Sequence, residues 1–148
     1  MKPIIVADTN IPFLKGVLEH VAEMRYFPAS QITPEVVRDA DALIVRTRTR
    51  CNAALLDNTR VKLITTATIG FDHIDTEYCR RANIRWQNAP GCNADSVGQY
   101  VASALCFWAK KRAKTLSGLT FGIVGCGHVG TSVERMAQHL GMRVLRND

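Results

Sequence analysis

Aromatic residues are scarce in this 148-residue sequence, at 7%, and they do not interleave with its basic runs. A stacking platform for single-stranded nucleic acid needs that interleaving, so this class is excluded. Long apolar runs are missing too. The longest stretch, Val101–Ala109, is interrupted by Ser103, whereas a membrane-spanning helix needs about 20 apolar residues. The opening MKPIIVADTN lacks the apolar core of a secretory signal, because Asp8 intervenes. Five cysteines (Cys51, Cys79, Cys92, Cys106 and Cys126) are odd in number and form no CxxC pair. This argues against a disulfide framework or a zinc knuckle, and for reduced thiols in a cytoplasmic protein with no metal site. No internal repeat or low-complexity tract is present. What is there is ordinary globular composition, 47% apolar and 22% charged, in a chain long enough to bury its own core.

Nineteen Lys and Arg against thirteen Asp and Glu leave a net charge of +6. An excess of this sign points to an anionic partner, either a phosphorylated metabolite or nucleic acid. Two basic clusters carry it: Arg46, Arg48 and Arg50, and Lys110, Lys111, Arg112 and Lys114. The second closes a predicted helix, where cations complement the exposed carbonyls. No nucleic-acid or membrane partner is expected.

Short apolar runs alternate with helical patterns. Ile4–Ala7, Met24–Phe27, Ala42–Val45, Leu63–Ala67 and Arg85–Gln87 read as strands. After the first, Asn10 and Pro12 open a predicted helix with Phe13, Leu14, Val17, Leu18 and Val21 on one face. Short helices are predicted from Thr33-Pro34-Glu35, over Asn52–Asp57 and over Asp75–Arg81. A long helix follows over Ala94–Arg112, with Val97, Val101, Leu105 and Trp108 at helical spacing. Beyond the turn at Gly118 come strand Thr120–Val124, helix Val129–Leu140 with Val129, Val133, Met136 and Leu140 inward, and a strand from Arg143 to Leu145.

This alternation predicts an α/β fold: a parallel, flavodoxin-like N-terminal domain, then the start of a Rossmann domain. The expected division is a substrate domain over 1–93, an interdomain helix and linker over 94–116, and the start of a dinucleotide-binding domain over 117–148. The last part holds only strand, helix and strand, fewer than a mononucleotide-binding half requires. The chain is therefore expected to be truncated there, with an exposed apolar edge.

The sharpest local signal is Gly125-Cys126-Gly127-His128-Val129-Gly130. It follows a predicted strand and opens a predicted helix, the context in which GxGxxG carries meaning. Gly125 permits the tight turn, Gly127 lets the backbone approach a pyrophosphate, and Gly130 allows close helix–strand packing. Amides at the helix start, from His128 and Val129, then face the phosphates. Asp148 lies eighteen positions past Gly130, close to the spacing of about 20 expected for an acid that holds the ribose hydroxyls. That favours NAD over NADP, although Arg146 nearby argues the other way. The alternative is a glycine-rich turn in a nucleotide-free fold. Cys126 sits where a helix N-terminus can lower a thiol pKa, but its slot is a variable one and packing suffices to explain it.

A second signal lies in the loops after two predicted strands. Arg46-Thr47-Arg48-Thr49 follows one, and Thr68-Ile69-Gly70 the other. In open parallel sheets ligands bind at these ends. Thr47 and Thr68 offer hydroxyls, and Arg46 or Arg48 charge-assisted hydrogen bonds, to a carboxylate or phosphate. The alternative is plain turn residues beside a solvated basic surface.

Thr66–Asp75 (TATIGFDHID), Asn88–Ala94 (NAPGCNA) and the Gly125–Gly130 loop together resemble the D-isomer-specific 2-hydroxyacid dehydrogenases. The resemblance covers nearly the whole chain but only the first part of the family's length. It implies an NAD-dependent oxidation of a small phosphorylated 2-hydroxy acid to the 2-oxo acid, by a cytoplasmic homodimer. By position it makes Thr47 and Thr68 substrate contacts and Asp148 the ribose-binding acid. It also implies a catalytic arginine, glutamate and histidine beyond Asp148, with none in this chain. Of the four histidines, His20 and His139 fall on amphipathic helices, His128 lies in the glycine loop, and His73 is expected to begin a helix and stabilise its loop. None has the paired carboxylate that base catalysis prefers. Cys92 is expected to shape the domain junction. Other branches of the family, such as the phosphoglycerate dehydrogenases, and a non-catalytic dinucleotide- or anion-binding module are the alternatives.

Overall fold

The computed structural model describes residues 2–148. Strands β1 (Ile4–Asp8), β2 (Glu23–Phe27), β3 (Ala42–Val45), β4 (Leu63–Thr66) and β5 (Arg85–Gln87) alternate with a 3₁₀ turn (Ala29–Gln31) and helices α1 (Pro34–Val37), α2 (Ala53–Leu56) and α3 (Thr76–Arg81). Helix α4 (Ala94–Arg112), β6 (Thr120–Val124), α5 (His128–His139) and β7 (Arg143–Asn147) complete the chain. Two compact units result, Met1–Ala89 and Pro90–Asp148.

In the first unit the five strands are parallel in the order β2-β1-β3-β4-β5. This is the flavodoxin-type order, and strand order reverses at β1 and β3. Register places Val6 beside Leu43, Leu43 beside Ile64 and Ile64 beside Trp86. That row is the middle of the core, which Val37, Leu55, Leu56, Val61 and Cys79 complete. Each such large side chain contributes about 1.5–3 kcal/mol on burial. Burial also pushes the Cys51 thiol up to about 12, so it is an inert packing group. Asp75 caps α3 by accepting from the Tyr78 amide at 2.8 Å.

The segment between β1 and β2 departs from the expected helix. It is a series of turns, and the predicted apolar face does not form: Phe13 is 95% exposed, and Val17 and Val21 are exposed too. Three competing interactions explain this. Asp8 Oδ1 captures both the Asn10 backbone amide and its side-chain amide, so Asn10 caps nothing. Phe13 adopts a left-handed φ of 61°, which interrupts a right-handed helix. The Glu19 carboxylate then accepts from the amides of Gly16 and Leu18 and from the Tyr26 hydroxyl, supplying partners that helical carbonyls would otherwise supply. Those bonds, the Gly16 amide foremost, hold the Glu19 carboxyl below its usual range.

In the second unit β6 and β7 pair in parallel, with Phe121 beside Val144. Helix α5 packs on both strands and on α4. Ala109, Leu116, Ala137 and Met142 form the small core. The buried face of α4 is the expected one except near its C-terminal end. Val97, Val101 and Leu105 are half-buried, but Trp108 is 41% exposed, and the buried positions are Ala94, Gly98 and Ala109. Small side chains let α5 approach: a Cβ at Gly98 would lie 3.0 Å from Ser132 Oγ. Ser132 in turn donates to Asp95 Oδ1 at 2.9 Å. Lys110, Lys111 and Arg112 close α4 as expected, in the turn whose carbonyls they complement. Among the described residues no helix is long and apolar enough to cross a membrane.

Candidate functional site

Two constellations stand at the C-terminal ends of strands, one in each unit. In the first unit, β1 delivers Asp8 and β3 delivers the loop Arg46-Thr47-Arg48 to the point where strand order reverses. Open parallel sheets form their ligand crevice at such a point. Asp8, Asn10, Arg46, Thr47 and Arg48 line a cavity of about 260 Å³ there. A neighbouring cavity of about 250 Å³ shares Asn10 and Arg48 and is closed by Pro28, Ala29 and Ser30. Arg46 is partly engaged, since its Nη1 donates to the Asn10 carbonyl at 3.1 Å and ties the turn after β1 to the β3 loop.

Thr68 does not line that cavity. It belongs to a chain of hydroxyls at the end of β4. His73 Nε2 lies 3.0 Å from Thr66 Oγ1, Thr66 Oγ1 lies 2.7 Å from Thr68 Oγ1, and Thr68 Oγ1 donates to the Gly70 carbonyl at 3.0 Å. Proton accounting fixes its direction. Thr68 spends its single proton on Gly70, so Thr66 must donate to Thr68, and the His73 Nε2–H must donate to Thr66. His73 therefore carries a proton on Nε2. Burial lowers its pKa, against the opposing pull of Asp72. It stabilises the loop from a turn ahead of α3 and does not begin the helix, a correction to the sequence expectation. The cap position went instead to Asp75, whose carboxylate is a better acceptor for helix amides.

In the second unit β6 runs into Gly125 (φ 89°), Gly127 caps α5, and the first helical bond runs from the Thr131 amide to the Gly127 carbonyl. The amides of His128, Val129 and Gly130 thus stand free of intrahelical partners, as in any first turn. A Cβ at Gly125 or Gly127 would meet nothing within 4 Å. Packing against protein does not demand glycine at either position, and the space above the loop stays open. Gly130 is different, because a Cβ there would collide with the Gly125 carbonyl. The His128 ring lies against Gly91, 3.0 Å from where a Cβ would stand. Asp148 reaches the loop directly, accepting from the Cys126 amide at 2.8 Å. Arg146 is held by Cys126 Sγ at 3.4 Å and Glu134 Oε2 at 3.6 Å. Cys126 is half-buried, Cys92 and Cys106 are exposed, and all five thiols are free.

A parallel strand, a glycine turn and a helix whose free amides crown it define a dinucleotide-binding class of α/β protein. The family model for the D-isomer specific 2-hydroxyacid dehydrogenase catalytic domain matches residues 4–145, and the chain belongs to that family. It is 55% identical over 145 residues to the erythronate-4-phosphate dehydrogenase of Bacteroides thetaiotaomicron, covering 97% of this chain and 42% of that protein. It is 47% identical over 144 residues to the enzyme of that name from Porphyromonas gingivalis, covering 97% and 39%. Among solved structures, the NAD+-bound 3-phosphoglycerate dehydrogenase of Entamoeba histolytica superposes with a TM-score of 0.76 at 29% identity, over 100% of this chain and 54% of that one. The chain spans about two fifths of the length of the curated relatives it matches.

Sequence reasoning missed Asp8 and Asn10 as cavity walls and Thr66 as the link between His73 and Thr68. The signal for Asp8 was present: a carboxylate ending an apolar parallel strand points into the crevice, unlike the strand's interior.

Proposed function

We propose that this chain carries the substrate unit and the phosphate-binding turn of an NAD-dependent dehydrogenase. It would oxidise 4-phospho-D-erythronate to (R)-3-hydroxy-2-oxo-4-phosphooxybutanoate in the biosynthesis of pyridoxine 5′-phosphate. The observation that carries the cofactor reading is the open cradle over Gly125 and Gly127, with the Asp148 carboxylate at its rim. A bound nicotinamide dinucleotide would supply the hydride acceptor. The amides of His128, Val129 and Gly130 would hold its phosphates, and Asp148 the adenosine ribose. Asp148 stands at the loop while Arg146 is turned to Cys126 and Glu134, an arrangement that supports NAD over NADP. Thr47 and Arg46 would orient the substrate's carboxylate or phosphate, with Thr68 donating once its bond to Gly70 opens. The named relatives support the substrate. Residues 1–93 would form the substrate domain, 94–116 the connecting helix and linker, and 117–148 the beginning of the cofactor domain, in a cytoplasmic homodimer.

The test is absorbance at the nicotinamide band with the full-length protein. NADH formation should be faster with 4-phospho-D-erythronate than with 3-phosphoglycerate, and faster with NAD than with NADP. Calorimetric binding of NADH without any absorbance change on either acid would identify a non-catalytic dinucleotide-binding module instead.

A further inference from the structure

Asp8 is 2% exposed, yet it lines the cavity at the reversal of strand order. Its two oxygens are treated differently. Oδ1 accepts from the Asn10 backbone amide at 2.8 Å and from Asn10 Nδ2 at 3.1 Å. Oδ2 has no donor and no cation within reach among the described residues. It is not sealed off either, because the sole unpartnered side-chain atom shut away from solvent among those residues is Thr49 Oγ1. The turn after β1 needs only Oδ1, and an asparagine would serve it equally well. A carboxylate this far inside a protein is ordinarily paired or fully hydrogen-bonded. Here one acceptor is kept for something that enters the cavity.

The chemistry of the walls says what kind of donor that is. Arg46 and Arg48 face the same space and suit an anionic ligand. A carboxylate beside them repels a phosphate or a second carboxylate but accepts from a hydroxyl. We propose that Asp8 is a specificity-determining residue that accepts a hydrogen bond from a hydroxyl of the phosphorylated acid other than the one oxidised. In 4-phospho-D-erythronate that is the C3 hydroxyl, which 3-phosphoglycerate lacks. The inference rests on the reading of the Arg46–Arg48 loop as the substrate site.

The experiment is a cycle between one side chain and one substrate group in the full-length protein. kcat/KM is measured for 4-phospho-D-erythronate and its 3-deoxy analogue, with the wild type and with Asp8→Asn, which preserves an oxygen for Asn10. Loss of the hydroxyl should cost the wild type about 10–100-fold, the range for a hydrogen bond to a charged group. It should cost the variant several-fold less, because the asparagine Nδ2 offers the hydroxyl only a neutral hydrogen bond in place of one to a charged group. Each ratio is taken within one protein, so a change in folded fraction cancels, and Asp8→Ser replaces Asp8→Asn if the latter is insoluble. Equal ratios in wild type and variant would overturn the role of Asp8 while turnover leaves the substrate reading standing. A wild type that oxidises neither acid removes the substrate reading and this inference with it.

Discussion

Val6, Leu43, Val45 and Ile64 of the first unit are completely shielded from solvent, while Val124 and Leu145 in the β6–β7 pair remain 85% and 53% exposed. The sheets explain the contrast. In β2-β1-β3-β4-β5 the three inner strands have a neighbour on each side, whereas β6 and β7 have one each. Continuous apolar runs such as IIVA and ALIV suit the first environment, and a two-strand pair cannot bury both faces of its residues. Each unit nonetheless presents chemistry in the same way, at the C-terminal ends of parallel strands. The first does so with side chains gathered from several strands. The second does so with backbone amides exposed by one glycine turn.

Substitutions separate the two cases. Leu43→Ala should destabilise the first unit by about 2–5 kcal/mol, whereas Leu145→Ala should change stability by no more than about 0.5 kcal/mol. Denaturant unfolding of the 148-residue chain, with amide exchange to locate the loss, measures both. Comparable losses would erase the contrast. Gly130→Ala comes next, at about 1–3 kcal/mol, because its methyl group meets the Gly125 carbonyl and must spread helix from strand. NADH affinity should fall with it, by titration of nicotinamide fluorescence, and exchange in the first unit should not change.

Within the first unit, Phe13→Gly should stabilise by about 0.5–1 kcal/mol. A left-handed backbone strains a phenylalanine but not a glycine, and a ring this exposed gives up no packing. A lowered melting temperature would show that Phe13 makes a contact in solution that offsets the strain. The smallest effect concerns pH. Burial lowers the His73 pKa, so below the ordinary histidine value of about 6.5 the unfolded chain takes up a proton before the folded one. The stability tied to its neutral form is whole above that value and is lost as pH falls towards the lowered folded pKa. His73→Gln should flatten this part of the stability curve. An unchanged curve would show that burial of His73 contributes nothing to the pH dependence of stability.

Local patterning was legible where one interaction dominates. Strands β1, β3 and β6 lie within a residue of the apolar runs that predict them, and α4 spans the expected residues. The helix expected after β1 failed because periodicity counts apolar positions but not competitors for backbone amides, and here Asp8 and Glu19 take those amides. Trp108 failed for another reason. It shares a helical face with Val97, Val101 and Leu105, but lies in the last turns of α4, where Ala109 takes the buried position. The catalytic arginine, glutamate and histidine that the resemblance implies are not assigned to any residue of this chain.

Order along the chain, parallel strand type and the turn at Gly125–Gly130 follow from the amino-acid sequence alone, since each depends on neighbours a few residues away. Which carboxylate oxygen faces the cavity, which threonine hands its proton to which, and how far Trp108 is covered were decided only by tertiary structure. Those outcomes depend on groups tens of residues apart, brought within about 3 Å by strand order, and no local pattern encodes that distance.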